Sequence, residues 1–162
     1  MTVAAAELFA RCQAAGLSLT AEGEALHLDF ERPPPAELVK ELRRHKSALL
    51  AILDWHRCHH KALAYWGALH PPREAEALAW GEMQNRWHRL HGARTPEWQC
   101  AGCGKPIGGL AALDLADGSR VHFETVDCLL AFGTRWRGEA TAGLRALGLD
   151  PPPAEDEAGE AP

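Results

Sequence analysis

The chain has little tyrosine, methionine or serine, and it has no long apolar run. Its 162 residues include one tyrosine and two methionines. The serines are Ser18, Ser47 and Ser119, and none of them stands in the Gly-x-Ser-x-Gly pattern of a nucleophilic elbow. No apolar run approaches the roughly 18 residues that a membrane span needs, and the first residues lack the basic segment and apolar core of a signal peptide. These absences predict a cytoplasmic protein without a membrane partner.

The length and the distribution of charge limit the size of the protein and its partners. A chain of 162 residues forms one ordinary domain or two small ones, which excludes a large multidomain enzyme. Apolar residues make up 46% and charged residues 24%, as in average globular proteins. Five acids and no base in residues 150–162 account for the net charge of −5. The remaining body is neutral, which argues against a protein that binds nucleic acid through bulk positive charge.

The first 54 residues contain the pattern of a small αββαα unit. Apolar residues at helical spacing predict a helix that ends at Gly16, and two alternating apolar segments around the letters AEGE predict a β-hairpin. Pro35 suits the first position of a second helix, and the segment SALLAIL continues an apolar face after a break near His45. The predicted core consists of Leu8, Leu19, Leu28, Leu38, Leu42, Leu49 and Ile52.

Residues 1–54 also resemble a known kind of docking domain. The segments ELFARCQAAGLSLTAEGEALHLDF and PAELVKELRRHKSALLAIL are similar to the N-terminal docking domains of the TubC type, which occur in hybrid peptide and polyketide synthases. The resemblance implies an αββαα domain, often a homodimer, whose hairpin receives a short acidic or polar partner segment by strand addition. His27 and Arg32 would then be the docking cations of the hairpin. A scaffold without a docking role is the alternative.

Residues 55–97 are predicted to form a helical connector. Tryptophan and other large apolar residues recur at helical spacing before and after the break at Pro71 and Pro72. Aromatic stripes of this kind belong to a core more often than to a binding platform. His56 and His60 share a helix face, but two imidazoles hold a metal only with further ligands. We therefore expect these histidines to be solvated or hydrogen-bonded.

The clearest chemical signal lies in residues 98–137. Cys100 and Cys103 form a Cys-x-x-Cys pair with Gly104 directly after it, which permits a tight knuckle whose amides point at the thiolates. The odd number of five cysteines and this spacing favour a metal over disulfides in a reducing compartment. The knuckle therefore predicts the first two ligands of a metal site.

A hairpin and a helix are predicted to supply the other two ligands. An Asp-Gly turn between two alternating apolar segments predicts a hairpin with His122 on its return strand. Because His122 alternates with Val121 and Phe123, its side chain faces the knuckle if theirs face the core. Cys128 begins an apolar helical segment, and the N-terminus of a helix favours a thiolate.

Three thiolates and one imidazole form a complete ligand set for a structural Zn²⁺ ion. This set, Cys100, Cys103, His122 and Cys128, suits zinc because it is soft, fills all four positions and needs no redox chemistry. The order of knuckle, hairpin and helix is similar to that of treble-clef zinc modules, which bind nucleic acids or proteins. A reduced structural set of cysteines and a redox-active Cys-x-x-Cys pair are the alternatives.

The chain is thus predicted to be an α+β protein with four parts. These are a docking-type domain (1–54), a helical connector (55–97), a zinc-binding module (98–149) and a disordered acidic tail (150–162). A short helix around Leu144 is expected to end the zinc module and pack back on it.

The residue patterns favour a binding protein over an enzyme. The chain has no serine elbow and no phosphate-binding loop, and its predicted metal site has no open position. We therefore predict a non-catalytic adaptor that mediates protein–protein interaction. The alternative is a nucleic-acid-binding accessory protein of a mobile element, which would use the cations Lys105, Arg120, Arg135 and Arg137.

Overall fold

A computed structural model describes residues 3–108, 112–115, 117–123 and 126–153. The elements in these ranges are α1 (Val3–Ala14), β1 (Ser18–Glu22), β2 (Ala25–Asp29), α2 (Ala36–Arg44), α3 (Lys46–Gly67), α4 (Pro72–His91), β3 (Ala112–Asp114), β4 (Arg120–His122) and α5 (Val126–Arg145). The strands form two separate antiparallel hairpins, β1-β2 and β3-β4. The predicted α+β fold class is confirmed. No described helix is long and apolar enough to cross a membrane.

The chain divides into two compact units. Unit 1 contains residues 1–81 and 144–162, and unit 2 contains residues 82–143. Helix α3 runs without interruption through residue 54, where the sequence predicts a domain boundary. That boundary and the one at residue 97 stay predictions. The predicted disordered tail lies outside the described residues from residue 154 onward.

The core of unit 1 forms where α1, the first hairpin and α3 meet. Most of the predicted core residues are buried, namely Leu8, Leu19, Leu42, Leu49 and Ile52. Leu28 and Leu38 are only half-buried. Leu28 lies opposite Leu19 in the ladder, but no residue of β2 is fully buried. A two-stranded hairpin has few neighbours, so its outer strand remains partly open to solvent.

The end of α1 explains how the chain turns into the first hairpin. Gly16 has a φ of 71°, in the left-handed region that glycine adopts without a steric cost. The Leu17 N–H donates to the Cys12 carbonyl at 2.9 Å, and the Gly16 N–H donates to the Gln13 carbonyl at 3.0 Å. This pair of hydrogen bonds is the Schellman motif, which ends the helix where the sequence predicts.

The residues in the middle of the aromatic stripes of α3 and α4 are buried. Trp55, Trp80 and Met83 are buried, as expected for core positions. Leu69 and Leu90, at the ends of the same stripes, are exposed. The helical period therefore predicts the buried centres of both helices, but not the exposure of Ala77, which also belongs to the predicted stripe of α4.

The expectation of a separate short helix at the end of the zinc module is wrong. Helix α5 continues from Val126 to Arg145, because no proline interrupts that segment. Leu144 and Leu147 are buried and belong to unit 1. There the Leu147 carbonyl accepts a hydrogen bond of 3.1 Å from Nε2 of His56 in α3. Burial lowers the pKa of His56 below its ordinary value, so its ring is neutral near pH 7.

Removal of a core side chain from α3 should destabilise the protein. Ile52 has no exposed surface, so we expect Ile52→Ala to cost about 2–5 kcal/mol in the free energy of unfolding. Leu69→Ala is the matched control, because 61% of the surface of Leu69 is already exposed to solvent. Urea unfolding followed by circular dichroism measures both variants. Equal unfolding midpoints for the two variants would contradict this core.

Candidate metal centre

Backbone hydrogen bonds shape the Cys-x-x-Cys segment into a tight knuckle. The Cys100 N–H donates to the Lys105 carbonyl at 2.8 Å, and the Gly104 N–H donates to the Cys100 carbonyl at 2.8 Å. Gly104 has a φ of 76°, which an L side chain rarely adopts. The reversal places both thiols on one side of the loop, as the sequence predicts.

The second hairpin lies directly against the knuckle. In its ladder Ala112 pairs with His122 and Asp114 pairs with Arg120. The turn between the strands is held by the carboxylate of Asp117, which accepts hydrogen bonds from the N–H and the hydroxyl of Ser119. The Ala101 N–H donates to the Arg120 carbonyl at 2.7 Å, which ties the knuckle to β4.

Helix α5 brings the fourth ligand to the knuckle through a very close backbone approach. A Cβ atom at Gly102 would clash with the backbone carbonyl of Cys128, so only glycine fits there. Further along α5, the guanidinium of Arg135 donates to the Ala101 carbonyl of the knuckle. Two contacts thus join the knuckle to α5, one at the start of the helix and one about two turns later.

The four predicted ligands converge in the structure. The ligand atoms of Cys100, Cys103, His122 and Cys128 all lie within 4.8 Å of one another. The Nδ1 atom of His122 lies 3.5 Å from the sulfur of Cys103 and 3.7 Å from that of Cys128. Tetrahedral zinc with ordinary Zn–S and Zn–N bond lengths would separate such atoms by about 3.6 Å. The cluster therefore has the dimensions of a metal site.

The hydrogen-bond partner of the His122 ring also suits a metal ligand. Its Nε2 atom lies 3.3 Å from the Pro106 carbonyl, which can only accept a hydrogen bond. In the neutral ring Nε2 therefore carries the proton, and the lone pair of Nδ1 faces the thiols. A backbone carbonyl that orients a histidine in this way is a typical outer partner of a metal ligand.

The protein stabilises a thiolate at Cys100. Burial raises the pKa of this thiol, but hydrogen bonds to its sulfur, first from the Cys103 N–H and then from the His122 N–H, outweigh burial. The result is a pKa of about 6. The His122 N–H lies 3.4 Å from the sulfur. Amides directed at a thiolate favour the deprotonated state that binds metals.

A dry apolar shell surrounds three of the four ligands. Cys100, Cys128 and His122 are buried, whereas Cys103 is exposed at the edge of the knuckle. The shell consists of Ala101, Ile107 and Val121, with Ala112, Leu115 and Phe132 packed against them. Such a shell keeps water away from the ligand atoms.

The alternation of side chains along the predicted return strand gives the direction of His122 correctly, but it is wrong for Phe123. Val121 is buried, as expected, while 69% of Phe123 is exposed. Strand β4 ends at His122, so the alternation of the ladder no longer constrains Phe123.

The predicted docking cations lie on an open part of the first hairpin. His27 is half-exposed and its Nε2 lies 3.6 Å from the carboxylate of Glu22, while Arg32 is exposed after the end of β2. Their role in partner binding stays a prediction.

The cations of the nucleic-acid alternative differ in their surroundings. Arg120 Nε donates to the Asp114 carboxylate at 2.8 Å. Arg135 lies 3.7 Å from the Glu139 carboxylate and also holds the knuckle. Lys105 and Arg137 are exposed. Two of the four cations therefore have partners within the chain.

Sequence reasoning missed two contacts that support unit 2. Trp136 stacks on His88, with ring centroids 4.2 Å apart and 15° between the planes, and His88 Nε2 donates to the Trp136 carbonyl at 2.7 Å. A Cβ atom at Gly143 would clash with the indole of Trp87. The interleaved tryptophans and histidines of α4 were the only signal available, and they do not identify partners distant in sequence.

The close approach at Gly102 predicts a specific sensitivity. We expect Gly102→Ala to separate the knuckle from α5 and to weaken metal retention at least about tenfold, as loss of a site's supporting contacts does. Gly138→Ala is the matched control, since nothing lies within 4 Å of a Cβ there and alanine favours the helix. Metal transfer to a chromogenic chelator measures retention. Equal retention by the two variants would contradict the close approach.

Comparisons with known proteins assign this chain to no family. No protein-family model, curated protein or solved structure matches it. The function must therefore be argued from the geometry of the site.

Proposed function

We propose that the protein is a non-catalytic adaptor that mediates protein–protein interaction and is stabilised by a structural zinc ion. The observation that carries the proposal is the convergence of Cys100, Cys103, His122 and Cys128 within 4.8 Å. Within the described residues this is the one group of side chains suited to hold a metal.

Zinc is the metal that this ligand set favours. Thiolate and imidazole ligands in a tetrahedral arrangement are typical of zinc, whereas Mg²⁺ and Ca²⁺ prefer oxygen ligands. The separations of 3.5 and 3.7 Å from the His122 nitrogen to two sulfurs agree with zinc bond lengths. A redox role for Cys100 and Cys103 is less well supported, because two further ligands lie beside the pair.

The closed ligand set supports a structural role rather than a catalytic one. A catalytic zinc site keeps one position open for water or substrate, and four protein ligands fill that position. The metal would join three chain segments, namely the knuckle, β4 and the start of α5. This order supports the likeness to treble-clef modules, in which zinc binding contributes directly to folding.

The N-terminal region supports the interaction role. Elements α1, β1, β2, α2 and α3 follow one another in the order that the TubC-type resemblance implies. In our proposal the β1-β2 hairpin, with His27 and Arg32, receives a short segment of a partner protein by strand addition. The same region would form the contact of a homodimer.

Protein binding is better supported than nucleic-acid binding. Arg120 and Arg135, two of the four cations that the nucleic-acid alternative needs, have carboxylate partners within the chain. Binding of nucleic acid would have to compete with these ion pairs.

Elemental analysis tests the zinc site. We expect one zinc per chain in protein purified without a histidine tag, and loss of that zinc in Cys103→Ser, because three ligands do not complete the set. Cys58→Ser is the matched control, since Cys58 is a free cysteine outside the cluster. Well-folded wild-type protein without zinc would contradict the proposal, as would equal zinc loss in both variants.

Affinity capture with the full chain tests the docking role. We expect wild-type protein to retain a defined partner, and the double variant His27→Glu plus Arg32→Glu to lose it, because acidic residues repel an acidic segment. Arg94→Glu is the control, since it reverses an exposed charge in unit 2. Unchanged capture by the double variant would show that the hairpin cations do not dock the partner.

A further inference from the structure

The four residues of the metal cluster differ sharply in their access to solvent. Cys100 has no exposed surface, and Cys128 and His122 are only 7% and 9% exposed. Cys103 is exposed, although its sulfur lies inside the cluster, 3.5 Å from Nδ1 of His122. Among the four ligands, Cys103 is therefore the one that a reagent in solution reaches first.

The shape of the knuckle explains why this one thiol is open. The chain is buried at Ala101 and again at Ile107, and residues 103–106 between them are all exposed. Gly104 follows Cys103 directly and has no side chain that could cover the sulfur. The tip of the knuckle thus carries Cys103 at the surface, while its base keeps Cys100 in the apolar shell.

Exposure matters because a metal-bound cysteine is a thiolate. A cysteine loses its proton when it binds zinc, and the thiolate is the form that reacts with peroxides. Susceptibility to oxidation follows thiolate character and exposure together. In the zinc-loaded protein all three cysteines of the cluster would be thiolates, so their exposure decides which of them reacts. That difference favours Cys103 over Cys100 and Cys128.

A second thiol is close enough to complete the oxidation. The sulfurs of Cys100 and Cys103 lie within 4.8 Å of one another, and the sulfurs of a disulfide are about 2.05 Å apart. Because the two cysteines stand three residues apart in one loop, movement of the knuckle alone brings them together. Cys128 is equally near, but its backbone is fixed in α5 and against Gly102.

We propose that Cys103 is a site of oxidation by hydrogen peroxide, and that a disulfide between Cys103 and Cys100 then expels the metal from the cluster. The Cys103 thiolate attacks one peroxide oxygen, so that an S–O bond forms, the O–O bond breaks and hydroxide leaves. The Cys100 thiolate next attacks the sulfur of this sulfenic acid, so that an S–S bond forms, the S–O bond breaks and a second hydroxide leaves. The two thiolates lose two electrons in total, and two protons from solvent convert both hydroxides to water.

The disulfide removes half of the ligand set. His122 and Cys128 remain, and two protein ligands do not hold a structural zinc ion. Loss of the metal would separate the knuckle, β4 and the start of α5, whereas the apolar core of unit 1 contains none of the ligands. A thiol reductant reverses the disulfide, so unit 2 would respond reversibly to peroxide. The inference rests on the proposed zinc site and adds a redox response to it.

Zinc release from the zinc-loaded full chain tests this proposal. Elemental analysis first establishes the zinc content, and hydrogen peroxide is then added in the presence of a chromogenic chelator. Mass spectrometry of proteolytic fragments identifies the oxidised cysteines. We expect one disulfide between Cys100 and Cys103 for each zinc released, and recovery of zinc binding after addition of a thiol reductant and zinc.

Two variants separate the role of Cys103 from general oxidation. Cys103→His keeps four ligands but removes the exposed sulfur, so zinc should leave at least about tenfold more slowly than from the wild type, because imidazole forms no sulfenic acid. Cys58→Ser is the matched control, since it removes a free cysteine outside the cluster and should release zinc at the wild-type rate. The fragment analysis of the wild-type chain decides the question even if Cys103→His does not retain zinc.

Two results would overturn the proposal. The first is zinc-loaded wild-type protein that keeps its zinc in excess peroxide. The second is release of zinc while Cys103 remains unmodified, or release at the wild-type rate from zinc-loaded Cys103→His. Both leave the zinc proposal intact, because the zinc content is measured before peroxide is added. Wild-type protein without zinc at that first step would instead overturn the zinc proposal and this one with it.

Discussion

Four ligand atoms from three chain segments meet within 4.8 Å, and the rest of unit 2 depends on this convergence. The knuckle, β4 and the start of α5 share little apolar surface, since the cluster around the site has only a few buried residues. Three thiols held together without a metal would gain nothing from their proximity, whereas bonds from these ligands to a metal ion would contribute folding energy directly. A metal ion bound at this cluster would therefore supply, through a few strong and directional bonds, the stability that a larger core gives other domains.

Hydrogen bonds and packing contacts within the protein hold the four ligands in place, and none of these contacts involves a metal. The Pro106 carbonyl orients His122, amides of the knuckle lower the pKa of Cys100, and Arg135 holds the Ala101 carbonyl. Gly102 lets the backbone of the knuckle approach α5. Each contact reduces the freedom that metal binding would otherwise have to remove, so the ligands are close to their bound positions in advance.

Unit 1 depends on a different kind of interaction. Its core is apolar, and its helices α1 and α3 leave a groove beside β1 whose charges come from one helix. The hydrogen bond from His56 to the Leu147 carbonyl holds the segment after α5 against α3.

Local patterns in the sequence determined the helices, the two hairpins, the knuckle and the identity of the four clustered residues, because each depends on spacing within a few residues. Only the tertiary structure decided the exposure of Phe123, the continuation of α5 to Arg145 and the placement of Leu144 in unit 1. It also showed that a side chain in place of Gly102 would clash with the backbone of Cys128, and that Arg135 donates a hydrogen bond to the knuckle. These features depend on which segments lie side by side, and residues distant in sequence carry no local period that reveals their contact.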